Sequence, residues 1–389
     1  MKKIAISLSV ILFTWALGQC WGAPPVSVAK DENAKQTTAT VRAVKYRGLT
    51  IRLLDEKTLR DAKEKWGANI VRIQFPMDHL VKNYNLSWNE AWKKNLEDID
   101  RGLDIANQLG ITVVLTMPFM GAEQYDRNAS RWANLERLWD NDVNLDHMKM
   151  RWHQIAAVAA KKNVAVWYDL LNEPLDRRDW PRAPKKWPVW AQALIDEIRT
   201  VDKKNWIVVE SGPGGEMWEG IKSFPRLKDD KLIYSIHLYA PMKYTHQGVH
   251  DTQYTDLTAP VMVVNKTWPG EYTDTWGNGY WDKARLMRLL QPVIEFSKKN
   301  PDIPIYMGEF SVARWAPKGA DYLKDCLEIF EELGWDWTYH ALRESPIWSL
   351  EHTEEYSLDK PQLAEKMTER GSVVKSFLDK NAPKVGRAP

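Results

Sequence analysis

The segment "VWYDLLNEP", residues 166–174, opens as a buried strand and closes on a carboxylate set between an amide and a proline. Apolar side chains run up to Asn172, Glu173 follows, and Pro174, which has no N–H to give to a sheet ladder, stops the strand. A run that is apolar at nearly every position, rather than at alternate ones, fits a strand covered on both faces, as in a parallel sheet.

On either side lie further runs of the same kind. They are "VKYRGLTI" (44–51), "NIVRIQF" (69–75), "ITVVLTMPF" (111–119), "WIVVES" (206–211), "LIYSIHLYA" (232–240), "IPIYMGEF" (303–310) and "DWTYHAL" (336–342), which with "VAVWYDLLN" (164–172) makes eight. Amphipathic stretches at helical spacing separate most of them, for instance "LEDIDRGLDIANQLG" (96–110) and "ADYLKDCLEIFEELG" (320–334), each closed by a glycine suited to a helix C-terminus. Eight buried strands alternating with helices predict an α/β fold, a single (β/α)8 TIM-barrel domain over residues 42–384. A doubly wound open sheet would need a glycine-rich nucleotide turn after its first strand. None is present, and "SGPGGE" (211–216) has neither the phosphate-loop lysine nor the dinucleotide spacing. The long stretches 120–144 and 242–280 follow the third and sixth strands, on the face of a barrel where functional sites are built.

Residues 1–23 read as a signal peptide, two lysines ahead of a short apolar run and small residues, and 24–41 as a disordered polar leader. The expected location is secreted or periplasmic, with lipoprotein anchoring at Cys20 the lesser alternative. No other stretch is apolar enough for a membrane span. Cys326 would be the one cysteine of the mature chain, a small core residue with no disulfide partner.

Lys and Arg total 54 against 52 Asp and Glu, a net charge of +2 spread without long runs, so nothing marks a nucleic-acid partner and a neutral substrate fits better. The chain is rich in Trp, with 21 residues, many in apparent loops such as "SWNEAW" (87–92), "DRRDWPRAPKKWPVW" (176–190) and "NKTWPGEYTDTWGNGYW" (265–281). Half or more of these are expected to pack loops onto the barrel; the rest could offer flat indole faces to the C–H face of a pyranose ring. "THQGVH" (245–250) spaces His246 and His250 four apart but lacks the zinc-protease glutamate, and Gly248 disfavours a helix, so no metal is expected. No Gly-x-Ser-x-Gly elbow occurs. No cofactor and a monomer are the expectations.

Polar groups gather at the strand ends. Arg72 lies in the second strand, Asn172 and Glu173 end the fourth, His237 and Tyr239 share one side of the sixth, and Glu309 ends the seventh. Buried polar groups are costly unless paired, so such convergence points to a site.

"WYDLLNEP", "IHLYAPMKYTHQG" (236–248) and "IYMGEFS" (305–311), in this order and on these strands, make residues 43–380 resemble glycoside hydrolase family 5, the cellulase-like retaining enzymes of the (β/α)8 glycosidase clan. The resemblance implies a glycoside hydrolase that cleaves β-linked polysaccharide, with Glu173 as acid/base and Glu309 as nucleophile. It implies Arg72 and Tyr239 stabilising ionised Glu309, Asn172 donating to the sugar 2-hydroxyl, and His237 within reach of Glu173. The family also has an aromatic platform after the eighth strand, for which Trp348 is favoured over Trp337. One departure stands out: the histidine expected after the third strand is replaced by "LTMPFMG" (115–121). The expected activity is an endo-β-1,4-glucanase on β-glucan. The alternatives are a β-mannanase, an exo-acting β-glucosidase or β-1,3-glucanase, a transglycosylase, or a catalytically silent carbohydrate-binding barrel.

Overall fold

The computed structural model describes residues 44–118, 131–249, 265–357 and 360–382. The signal and leader, His250 and the Phe119–Gly121 end of "LTMPFMG" lie outside the described residues. Among the described residues no helix is long and apolar enough to cross a membrane.

The strands in chain order are β1 (Arg47–Ile51), β2 (Ile70–Gln74), β3 (Thr112–Thr116), β4 (Val166–Asp169), β5 (Trp206–Glu210), β6 (Leu232–Leu238), β7 (Gly270–Tyr272), β8 (Gly279–Trp281), β9 (Ile305–Phe310) and β10 (Asp336–Leu342). Eight of them close into a barrel in the order β1-β10-β9-β6-β5-β4-β3-β2, all pairs parallel. β7 and β8 pair antiparallel as a separate hairpin, which the sequence reading did not foresee. Several strands are shorter than their apolar runs. After Asp169 the chain leaves the ladder although Leu170 and Leu171 stay buried, because burial and strand pairing end at different residues.

Inside the barrel, Ile70, Val114, Trp167, Val208, Ile233 and Tyr306 form an apolar layer, with Trp167 edge-on to Tyr46 and Tyr306 at 4.9 and 5.5 Å. A larger core fills the space between the strands and the surrounding helices. Much of the tryptophan serves that packing: Trp66, Trp152, Trp167, Trp187, Trp281 and Trp337 are fully buried. "SWNEAW" is not a loop. It is the first turn of the helix Trp88–Leu109, where Ser87 and Glu90 form a reciprocal capping box, and Trp88 and Trp92 flank the Arg151 guanidinium at 5.4 and 5.6 Å. Trp187 and Trp190 likewise belong to a helix, Trp187–Val201.

Candidate active site

Side chains on a strand alternate between faces, so two residues beyond each member of the inner apolar layer comes the next inward position. That step leads from Ile70 to Arg72, from Val114 to Thr116, from Trp167 to Asp169 and from Val208 to Glu210. A charged layer therefore sits on the apolar one, and Arg72, Asp169 and Glu210 are each fully buried. Arg72 Nε and Nη2 donate to Asp169 Oδ2 at 3.1 and 3.0 Å, Nη2 also to Glu210 Oε1 at 3.1 Å and Asn172 Oδ1 at 2.8 Å, and Nη1 to Glu309 Oε1 at 2.5 Å.

Glu309 is aimed by a β-bulge. β6 and β9 are in register through Ile236 and Met307, then shift so that His237 faces Glu309, with Gly308 as the extra residue. The glycine matters for space: a Cβ there would lie 2.6 Å from Ser235 Oγ and 3.0 Å from His237 Nε2. Besides Arg72, Gln74 Nε2 donates to Glu309 Oε1 at 2.9 Å and the Tyr239 hydroxyl donates to Oε2 at 2.8 Å, while Tyr239 stands 3.0 Å from His340 Nδ1.

Glu173 stands four residues beyond the end of β4 at φ +49°, a left-handed conformation that costs a non-glycine residue about 1–2 kcal/mol. Its own N–H donates to Glu210 Oε2 at 2.6 Å, so buried Glu210 fixes the strained turn. Its side chain meets His237, Nδ1 to Oε1 at 2.9 Å. His237 Nε2 lies 3.2 Å from Glu210 Oε1, at ion-pair distance but off the angle of a good hydrogen bond. Ligand-type atoms of Glu173, His237 and Glu309 all fall within 4.8 Å of one another. Such a trio could hold a cation, but the Arg72 guanidinium already lies against Glu309 and opposes a second positive charge there.

The charges set each other's ionisation. Burial works against an ionised Glu309, but His237, His340, Arg72 and the Tyr239 hydroxyl outweigh it and hold the carboxyl well below the usual range. Burial likewise disfavours a protonated His237, and Glu210, Glu309 and Glu173 overcome it, keeping the imidazole charged far above its ordinary titration. Asp169 goes the other way, pushed up to about 7 by burial and by Glu210. A carboxylate poised as an anion and a second one close by, in a buried network, is the equipment for attack and proton transfer.

The cellulase family description, glycosyl hydrolase family 5, matches residues 31–345. The chain belongs to glycosyl hydrolase family 5. Endoglucanase 3 of Fibrobacter succinogenes is 29% identical over 233 residues, which are 52% of this chain and 34% of that protein, so the chain spans about a third of this relative's length. Endoglucanase C of Acetivibrio thermocellus is 21% identical over 307 residues, 73% of this chain and 84% of the relative. A solved hyperthermophilic endo-β-1,4-glucanase in complex with substrate superposes with a TM-score of 0.62 at 18% identity, covering 85% of this chain and 96% of that one, and shares the (β/α)8 barrel.

In this family 5 glycoside hydrolase, the structure brings Arg72, Asn172, Glu173, His237, Tyr239 and Glu309 into one network. Trp348 reaches it only indirectly: it is 8% exposed, its ring packed on Tyr239, His246 and His340 at 5.9, 4.8 and 6.2 Å, which leaves little face for a sugar to cover. Trp337, the lesser candidate, lies elsewhere. As the second residue of β10 it lies near the N-terminal end of the barrel, fully buried, with Nε1 on Glu331 Oε1 at 3.0 Å. His246 is a core residue, pushed down to about 3 by burial and His340, and not part of a helical pair. Sequence reasoning missed Gln74, Asp169, Glu210 and His340. Asp169 and Glu210 carried a signal, an acid inside or at the end of an otherwise apolar strand.

Proposed function

We propose that this chain is a retaining endo-β-1,4-glucanase in which Glu309 is the nucleophile and Glu173 the acid/base. The observation that supports it most is the pair itself: a carboxylate oxygen of each falls within 4.8 Å, with Glu309 held as an anion by Arg72, Gln74 and Tyr239. Retaining enzymes place their carboxyl groups roughly 5–5.5 Å apart, whereas inverting enzymes separate them by roughly 6.5–9.5 Å to admit a water.

In the first step Glu309 attacks the anomeric carbon as the glycosidic C–O bond breaks, and Glu173 gives its proton to the departing oxygen. His237 occupies Glu173 Oε1, so Oε2 is the oxygen that carries the proton. In the second step Glu173 takes a proton from water, whose oxygen displaces Glu309 and restores both carboxyl groups. The Asn172 amide oxygen accepts from Arg72 and Gln74, which leaves Nδ2 as the donor for the 2-hydroxyl. Trp348 acts through the Tyr239 ring on which it packs. Residues 1–23 are the basis for placing the enzyme outside the cytoplasm.

Incubating the protein and its Glu173→Ala and Glu309→Ala variants with cello-, manno- and laminari-oligosaccharides tests the reading. Cleavage of internal bonds in the cello series by the unaltered chain alone is expected. Cleavage confined to the manno or laminari series would move the substrate, release of terminal sugars only would replace endo by exo action, and products longer than the substrate would mark a transglycosylase. Binding without cleavage would favour the silent barrel.

A further inference from the structure

Three connections meet on the Glu173 side of the barrel mouth. The one after β4 carries Trp180, the one after β5 carries Glu216, and the hairpin turn between β7 and β8 carries Trp276. Trp180 Nε1 donates to Glu216 Oε2 and Trp276 Nε1 to Glu216 Oε1, both at 3.0 Å. One carboxylate thus ties two indoles from different connections together, with ring centroids 6.3 Å apart and planes inclined by 49°. Trp218, buried beneath, meets Trp276 edge-on at 5.7 Å and backs the pair. Trp180 nonetheless stays 46% exposed.

A largely buried carboxylate is a costly group to use as a brace. Burial pushes Glu216 up, the two indole N–H groups hold it down, and Asp274 and Glu173 add repulsion. What the brace secures is the attitude of two indoles at the surface, Trp180 exposed and Trp276 half-buried where it packs against the core. Their place relative to the chemistry follows from Gly215: a Cβ at that residue would lie 3.1 Å from Glu173 Oε1, so the backbone next to Glu216 abuts the acid/base.

We propose that Trp180 and Trp276, joined by Glu216, form the platform that receives the sugar on the leaving-group side of the scissile bond, with Glu216 as its positioning residue. The proposal rests on the reading of Glu173 as acid/base, since the group that protonates the departing oxygen faces the sugar that departs with it. Two inclined indoles match the C–H faces of consecutive pyranose rings in an unbranched β-linked chain.

The test compares kcat/KM for cellotetraose, whose leaving group is a sugar, with that for β-cellobiosyl fluoride, whose leaving group is one atom and cannot reach the platform. For Trp180→Ala, Trp276→Ala and Glu216→Ala the ratio of the two constants is expected to fall roughly tenfold or more. Glu216→Gln, which keeps one acceptor oxygen and loses the other, should fall between these variants and the unaltered chain. Equal losses on both substrates, or none on either, would overturn the platform while leaving the hydrolase reading intact. An unaltered chain inactive on both substrates would overturn that reading and the platform with it.

Discussion

Glu309→Ala is expected to lower kcat by a factor on the order of 10⁴ to 10⁶, the range seen when a catalytic nucleophile or its partner is removed from an enzyme. The size follows from what Glu309 contributes: an anion held in place by a guanidinium, an amide and a phenol, with no other group in the network positioned to attack from that face. Arg72 retains Asp169 and Glu210 as partners in the variant, so the fold is expected to persist. The truncation also leaves room for a small anion. Azide supplied with β-cellobiosyl fluoride should enter there, displace fluoride in one step and give the α-glycosyl azide, restoring product formation in this variant. Turnover close to that of the unaltered chain, or a β-azide as product, would remove Glu309 from the nucleophile's role.

Arg72→Met carries the second large expectation, a loss of about 3–5 kcal/mol in unfolding free energy together with loss of activity. Among the described residues Arg72 is the one side chain that hydrogen-bonds Asp169, Glu210 and Glu309 together, all of them buried, and a methionine of similar reach neutralises none of them. The sign with pH follows. Asp169 is already raised to about 7, above its unfolded value of about 3.9, so its ionisation opposes folding increasingly as pH rises between those values. Without Arg72 that opposition deepens, and the deficit should be largest at neutral pH and above and shrink towards about pH 4, where the carboxyls protonate. Urea midpoints measured at both ends of this range check it; an unchanged midpoint at neutral pH would mean that Arg72 stabilises nothing.

The barrel was legible because eight apolar runs declared themselves one by one, and the proposed catalytic pair because "NEP" and "GEF" stand at the ends of two of those runs. Asp169 and Glu210 were harder to see for a physical reason. Each lies in a strand whose own pattern says only that it is buried, and it is the closing of the sheet that brings β2, β4 and β5 round to one guanidinium. Trp337, the lesser candidate for the aromatic platform, is the second residue of β10 and so falls at the end of the strand away from the mouth. The tryptophans of "SWNEAW" look like loop residues by composition, yet Ser87 and Glu90, three residues apart, spell the capping box that starts a helix there. Trp180 and Trp276 did fall in the stretches read as a possible sugar cleft, but nothing in either stretch names Glu216 as the residue that joins them.

Double displacement at Glu309 and Glu173 predicts that the first product formed keeps the configuration of the bond that was cut. Following cellotetraose hydrolysis by proton NMR from the first minutes tests this directly. The β-anomer signal should rise first, with the α-anomer appearing only as mutarotation proceeds. An α-anomer signal leading from the outset would show inversion and contradict the assignment of Glu309 as nucleophile.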